Sequence, residues 1–157
     1  MKKILLAKEK YALVDDSDYG YLNQYRWHIH EKRYLRSSSG ILMHRLIINT
    51  PEGMDTDHID GNGLNNQRNN LRICKKFQNQ ANRGISKNNL SGYKGVYWHK
   101  DSKKWRAKLM FDYKNIYLGL FKNKINAALA YNQAAKKYFG EFAKLNKVAT
   151  KQIQNMV

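Results

Sequence analysis

The stretch DHIDGNGLNNQRNNLRICKKFQNQAN, residues 57–82, decides the fold of this chain. It places a carboxylate, Asp57, directly before an imidazole, His58, and two asparagines follow the histidine by 12 and 21 residues, at Asn70 and Asn79. A histidine of near-neutral pKa can take a proton from water. Carboxylate and amide oxygens suit a hard divalent cation such as Mg²⁺ or Mn²⁺. Together these groups are the minimum that phosphodiester hydrolysis requires.

The same stretch predicts a strand, a long loop, a second strand and a short helix. The apolar and polar pattern favours strands over 55–59 and 71–74, a Gly/Asn-rich loop over 61–69, and a polar helix over 75–82. Adjacent residues on a strand point to opposite faces, so Asp57 and His58 would separate. We therefore favour a strand that ends at Asp57.

The preceding residues predict small elements of both kinds. Short strands are expected over 4–6 and 11–14, cap-type side chains over 15–18, a helix over 19–25, a hairpin from 27–30 and 34–37, and a helix over 41–49. The only proline, Pro51, breaks that helix. The initial apolar run is too short for a signal peptide or a membrane span, and no membrane partner is expected.

The charge is large and unevenly distributed. The formal net charge is +17, and residues 86–157 hold 15 Lys and Arg against 3 Asp and Glu, a net of +12. A basic half that also carries Tyr and Trp suits a polyanion, because each neutralised phosphate releases counterions. The alternative is a basic surface that only keeps the protein soluble. The single cysteine, Cys74, excludes an internal disulfide and fits a reducing cytoplasm.

Residues 84–90 lack apolar periodicity and are expected to form a linker. Three strands, over 93–99, 104–111 and 115–121, and a helix over 124–138 are predicted after it. One strand face is apolar: Val96, Trp98, Trp105, Ala107, Leu109, Ile116 and Leu118. The alanine-rich helix should lie on that face and end at Gly140.

Residues 57–82 resemble the HNH nuclease motif of phage and intron-encoded homing endonucleases, in the H-N-N variant that ends in asparagine. The resemblance implies a ββα-metal finger. It implies that His58 is the general base, that Asp57 and Asn79 bind one divalent metal, and that Asn70 braces the loop and orients the histidine. Asn69 could replace Asn70, and Asn82 could replace Asn79.

The segment MHRLI precedes the motif, as an apolar segment with His-Arg does in that family. Arg45 could contact a phosphate with His44 near the active site, or the pair could be a solvated polar turn. His28 and His30 share one face of the predicted hairpin, where a surface role is favoured over metal binding.

Residues 91–146 resemble the AP2 DNA-binding domain, on the segments YKGVYW (93–98), KWRA (104–107), YLGLF (117–121), AALAY (127–131) and AKLN (143–146). That domain lays a three-stranded sheet in the DNA major groove. The positions that would face DNA are Lys94, Tyr97, His99, Arg106, Lys108, Met110, Asn115 and Tyr117. Three of them, Tyr97, Met110 and Asn115, cannot make the bidentate contact with guanine that arginine makes. The base preference of the plant transcription factors that contain AP2 domains is therefore not expected of this chain. Trp98 and Trp105 are expected in the core rather than stacked on bases.

The predicted class is α+β. A small N-terminal α/β segment and an HNH finger (about 54–83) form a nuclease region over 1–83, and an AP2-like domain covers 91–147. The leading hypothesis is a metal-dependent, homing-type DNA endonuclease that acts on double-stranded DNA without an organic cofactor. The protein is expected to be a monomer, which would nick one strand, or a weak dimer, which could cut both. The alternatives are a non-catalytic DNA-binding regulator and a protein that binds or cuts RNA.

Overall fold

The computed structural model describes residues 1–7, 9–31 and 33–149, and the chain divides into two compact units after Asn79. The mixed α and β content agrees with the predicted class. The division lies a few residues before the predicted linker at 84–90, and that linker stays a prediction. Each unit is described by itself below.

The first unit is built from short antiparallel hairpins and helices. Its elements are β1 (Lys2–Leu5), β2 (Tyr11–Val14), α1 (Asp16–Leu22), β3 (Trp27–His30), β4 (Tyr34–Ser37), α2 (Met43–Ile47), β5 (Asp55–His58), β6 (Leu71–Cys74) and the start of α3 (Lys76–Asn82). The strands pair as β1-β2, β3-β4 and β5-β6. The strand, loop, strand and helix predicted from residues 55–82 are therefore present.

One apolar core joins the N-terminal segment to the β5-β6 hairpin. Its buried members are Ile4, Leu6, Ala12, Val14, Leu22, Trp27, Leu35, Met43, Ile47 and Leu71. A two-stranded hairpin of four-residue strands is marginal in water by itself. The β5-β6 hairpin therefore depends on apolar side chains that residues 4–47 supply.

Helix α1 begins at Asp16, three residues before the predicted start. The acidic residues Asp15 and Asp18, at its start, bond a distant segment of the chain and do not cap the helix. The Asp15 side chain makes no cap hydrogen bond. It accepts the backbone N–H of Arg68 at 2.8 Å, and Asp18 accepts two guanidinium N–H bonds from Arg68 at 2.8 and 2.7 Å. These carboxylates anchor the loop between β5 and β6, because they accept hydrogen bonds from Arg68, which lies in that loop.

Strand β2 also holds that loop through its backbone. The N–H of Leu13 donates to the carbonyl of Leu64 at 2.8 Å, and the carbonyl of Leu13 accepts the N–H of Asn66 at 2.7 Å. The loop is thus extended and paired where it passes β2, although its composition of Gly and Asn is that of an irregular segment.

The second unit is a three-stranded antiparallel sheet with one helix. Strands β7 (Val96–His99), β8 (Lys104–Phe111) and β9 (Lys114–Phe121) pair in that order, and α4 (Lys124–Phe139) follows. The Asn123 side chain caps α4 by accepting the N–H of Ile125 at 2.8 Å, and Gly140 is its C-cap. Val96 and Ala107 of the sheet form a buried cluster with Ala127 and Ala128 of the helix.

Trp98 is a correction to the predicted core. It shares strand parity with Val96, yet 49% of its surface is exposed. It pairs across strands with Trp105, the ring centroids being 5.0 Å apart in an edge-to-face arrangement. The short strand β7 is an outer strand of the sheet, so its parity does not guarantee burial. Trp105 is half-buried and packs on the core, as predicted.

Within residues 1–7, 9–31 and 33–149, no helix has the length and apolar character that a membrane crossing needs.

Gly63 should not tolerate a side chain. A Cβ at this position would lie 2.1 Å from the carbonyl oxygen of Arg33, and backbone cannot move aside cheaply. We expect Gly63→Ala to lower the free energy of unfolding by about 2 kcal/mol or more, measured by urea denaturation. The matched control is Gly20→Ala, in exposed helix with no atom within 4 Å of the new Cβ. It should stabilise by about 0.5–1 kcal/mol. Equal effects of the two substitutions would contradict this packing.

Candidate active site

Strand β5 presents two different chemical faces. It continues to His58, so the predicted end at Asp57 is wrong. Alternation then places Asp55 and Asp57 on one face and Thr56 and His58 on the other. The antiparallel register sets Asp57 opposite Arg72 and His58 opposite Leu71. Continued pairing with β6 holds His58 in extended backbone, and the imidazole points away from the carboxylates.

The His58 imidazole is buried and held by an asparagine that the sequence analysis passed over. Only 4% of His58 is exposed, and its Nε2 lies 3.3 Å from Oδ1 of the fully buried Asn66. The Nδ2 of Asn66 donates to the carbonyl of Gly63 at 3.2 Å, which turns the amide oxygen towards the imidazole. An amide oxygen only accepts hydrogen bonds. The proton of neutral His58 therefore resides on Nε2, and Nδ1 carries the lone pair.

Two further rings enclose His58. Tyr34 stacks on it with ring centroids 5.8 Å apart, and His44 meets it edge-to-face at 5.1 Å. Tyr34 and His44 are themselves 5.1 Å apart. The structure thus places His44 beside His58, as the family resemblance implied, and adds Tyr34 from β4.

Burial shifts both imidazoles towards the uncharged form. Burial is the main cause that lowers the pKa of His58, whereas the Asn66 hydrogen bond and the charges of Asp60 and Asp57 act in the opposite direction. Burial, with the proximity of His58 and Arg45, lowers the pKa of His44 to about 3. A neutral imidazole is the form that can accept a proton.

Asn70 closes the loop that follows His58. Its Oδ1 accepts the backbone N–H of Asp60 at 3.1 Å, and its Nδ2 donates to the Asp60 carboxylate at 3.0 Å and to the carbonyl of Asn65 at 2.8 Å. The alternative position, Asn69, is exposed. The buried asparagine is thus the one that ties the two ends of the loop together.

The opposite face of β5 carries the oxygen donors named as metal ligands. Asp57 is buried, and its Oδ2 accepts Nε and Nη2 of Arg72 at 2.9 and 2.8 Å. Asn79 donates its Nδ2 to Oδ2 of Asp55 at 3.0 Å. The structure therefore gives Asp57 and Asn79 separate partners. Among the residues that the structure describes, no group of three or more His, Cys, Asp or Glu could hold a metal.

The donor chemistry of this face still fits a hard cation. Two carboxylates two residues apart on one strand and the amide that contacts one of them supply only oxygen ligands, which Mg²⁺ and Mn²⁺ prefer. A cation that binds Asp57 would compete with the Arg72 guanidinium for that carboxylate. Asp55 and Arg72 were not predicted as site residues. They contact Asn79 and Asp57, respectively, and so form part of the candidate site.

Arg45 has structural contacts in this structure, and its contact with a phosphate stays a prediction. It donates to the carbonyls of Met54 at 2.7 Å, Pro51 at 3.1 Å and Thr50 at 3.3 Å. These bonds hold the turn that leads into β5.

Of the two histidines predicted to lie at the surface, His28 is exposed and His30 is half-buried.

In the second unit, the sheet face opposite α4 carries most of the side chains expected to meet DNA. Cross-strand pairs join Tyr97 to Arg106, Lys108 to Tyr117 and Met110 to Asn115. The two tyrosines, Met110 and Asn115 are exposed, whereas His99, Arg106 and Lys108 are half-buried. The Lys108 ammonium lies 5.5 Å from the centre of the Tyr97 ring.

Lys94 differs from this set. Its ammonium donates to the backbone carbonyls of Ala81 and, at 2.6 Å, Arg83, and burial lowers its pKa to about 8. The Asn146 side chain bonds the backbone N–H and carbonyl of Lys94 at 2.6 and 3.0 Å. This lysine holds chain segments of the second unit together.

The His58 tautomer is measurable. We expect ¹⁵N–¹H correlation spectra at pH 7 to show His58 neutral with its proton on Nε2, because Asn66 offers only an acceptor there. Asn66→Ala should broaden or shift that signal, whereas Asn69→Ala, at an exposed position, should leave it unchanged. A His58 signal with the proton on Nδ1 would contradict the assignment.

Comparison with known proteins agrees with this geometry. A family model described as HNH endonuclease matches residues 49–81, from the end of α2 to α3. A protein of Acanthamoeba polyphaga mimivirus that is named as an uncharacterized HNH endonuclease is 29% identical over 150 residues, which cover 90% of this chain and 78% of that protein.

A second viral protein shares a shorter segment. Protein 3.8 of Escherichia phage T7 is 44% identical over 57 residues, 36% of this chain. That match covers 47% of the phage protein, so the similarity spans about half of its length. Residues 49–81 are therefore similar to the HNH endonuclease family, which agrees with the enzyme class predicted from the sequence.

Proposed function

We propose that this protein is a metal-dependent DNA endonuclease of the homing type, whose HNH finger cuts and whose sheet-and-helix unit binds double-stranded DNA. The observation that carries the proposal is the buried His58, whose imidazole is fixed by Asn66 on a strand whose other face offers oxygen donors. The HNH family match covers this strand. The net charge of +17 supports a nucleic-acid substrate.

His58 is the general base. Its Nδ1 lone pair takes a proton from water, the water oxygen bonds to phosphorus, and the bond from phosphorus to the leaving sugar oxygen breaks. The sugar oxygen then takes up a proton, and His58 returns its proton to solvent. The carboxylates of Asp60 and Asp57 favour the imidazolium that forms in the first step.

Asp57 and Asn79 would hold the divalent cation, Mg²⁺ or Mn²⁺, with Asp55 beside them. The cation, when bound, neutralises charge on the scissile phosphate and the leaving oxygen. Asn70 keeps the loop folded over the strand end through its bonds to Asp60 and Asn65, so that Asn66 stays in register with His58.

The exposed sheet face of the second unit supplies affinity for DNA. We assign direct contacts to Tyr97, His99, Arg106, Lys108, Asn115 and Tyr117, in keeping with the AP2 resemblance. Arg45 and Lys94 were expected to bind DNA as well, but their cationic groups already bond to backbone carbonyls, so we assign them first to internal support. Tethering a binding unit to the finger raises the effective concentration of the cutter at its site.

Cleavage should require both metal and His58. We expect wild-type protein to relax supercoiled plasmid carrying the neighbouring genomic DNA with Mg²⁺, and EDTA to stop it. His58→Ala should bind the same DNA in a gel-shift assay while cutting at least about 100-fold more slowly, the usual scale of a lost general base. A single site per chain predicts open-circle product before linear product.

The outcomes separate the candidate functions. If wild-type protein binds DNA but never cuts it with either cation, the non-catalytic regulator replaces this proposal. If it prefers RNA of the same sequence, the substrate assignment is wrong.

The sheet face should bind phosphate as well as bases. We expect Lys108→Ala to weaken DNA binding about fivefold to tenfold and to lower the slope of log K against log salt by about one, because one phosphate contact is lost. Lys136→Ala removes the same charge from an exposed position on α4 and should change neither. Fluorescence anisotropy at several salt concentrations measures both quantities. Equal losses in the two variants would show that only net charge matters.

A further inference from the structure

His44 is a second histidine at the site with a polar atom that the protein leaves unpaired. Only 5% of it is exposed, and its Nδ1 is buried with no hydrogen-bond partner. A buried polar atom without a partner costs stability, and native proteins retain few of them. Among the described residues, the Nε of Arg106 is the other such side-chain atom, and it lies in the second unit.

The location of this atom links it to the chemistry of His58. The two imidazoles meet edge-to-face with centroids 5.1 Å apart, and Tyr34 packs against both. Apolar side chains would fill this space at no cost in hydrogen bonding, and the neighbouring Met43 of α2 is fully buried in the core. A polar ring is therefore placed where an apolar one would suit the packing.

We propose that Nδ1 of His44 holds the attacking water against His58. The proposal rests on the endonuclease function proposed above. The orphaned nitrogen bonds the water, and the proton goes to the His58 lone pair. Tyr34 keeps the two rings at their mutual angle.

Three substitutions of His44 separate this role from packing. His44→Phe keeps a ring and removes both nitrogens, His44→Asn places an amide near the position of Nδ1, and His44→Gln reaches the position of Nε2. Each is compared with wild type and with His58→Ala for melting temperature, for DNA affinity by anisotropy, and for single-turnover cleavage with saturating protein and Mg²⁺.

We expect the Phe variant to melt at or above the wild-type temperature, because the unpaired polar atom is gone. It should bind DNA as wild type does and cut at least tenfold more slowly. The Asn variant should cut at least threefold faster than the Phe and Gln variants. A residue that only packs would show the reverse: unchanged cleavage in the Phe variant.

Several results overturn the inference. Wild-type cleavage by the Phe variant does so, and so do equal rates for the Asn and Gln variants, which would remove the special role of Nδ1. If the Phe variant melts well below wild type, the Asn and Gln comparison alone decides. Failure of the wild type to cut overturns the proposed function and this inference with it, whereas the other results leave the proposed function standing.

Discussion

The antiparallel pairing of β5 with β6 is the constraint on which the candidate site depends. It fixes His58 opposite Leu71 and Asp57 opposite Arg72, so neighbouring residues serve opposite faces of one short strand. A slip of one residue would exchange the faces and move the imidazole away from Asn66 and Tyr34. The register is held from outside, because Leu71 belongs to the core that residues 4–47 build.

Burial sets the chemistry of the histidine face. Removing His58 from water disfavours its cation, which keeps the imidazole available as a base but makes the product of proton transfer more costly. The Asp60 carboxylate partly offsets that cost. It is fixed by the backbone N–H of Asn62 and the side chains of Asn65 and Asn70, so the charge is already oriented before any proton moves.

The sequence predicted what depends on local pattern and missed what depends on distant partners. Alternation and turn chemistry indicated β6, β8 and α4 to within a residue. No local signal distinguishes Asn66 from its neighbours. Its contact with His58 depends on the backbone hydrogen bonds that hold the loop against β2. Arg45 and Lys94 were expected to contact DNA from the two family resemblances, and that contact stays a prediction. No pattern in the sequence indicated that their cationic groups bond to backbone carbonyls, because only the tertiary structure brings those carbonyls near them.

The N-terminal segment helps to order the loop between β5 and β6. A loop of Gly and Asn loses much conformational entropy when it is ordered, and four-residue strands recover little of it. Asp15 and Asp18 compensate by bonding Arg68, and Leu13 supplies two backbone bonds to the same loop. Asn66 lies between those anchors, so the atom that orients His58 is held by the core of the unit. The position of the His58 imidazole therefore depends on residues 1–50 as much as on the motif itself.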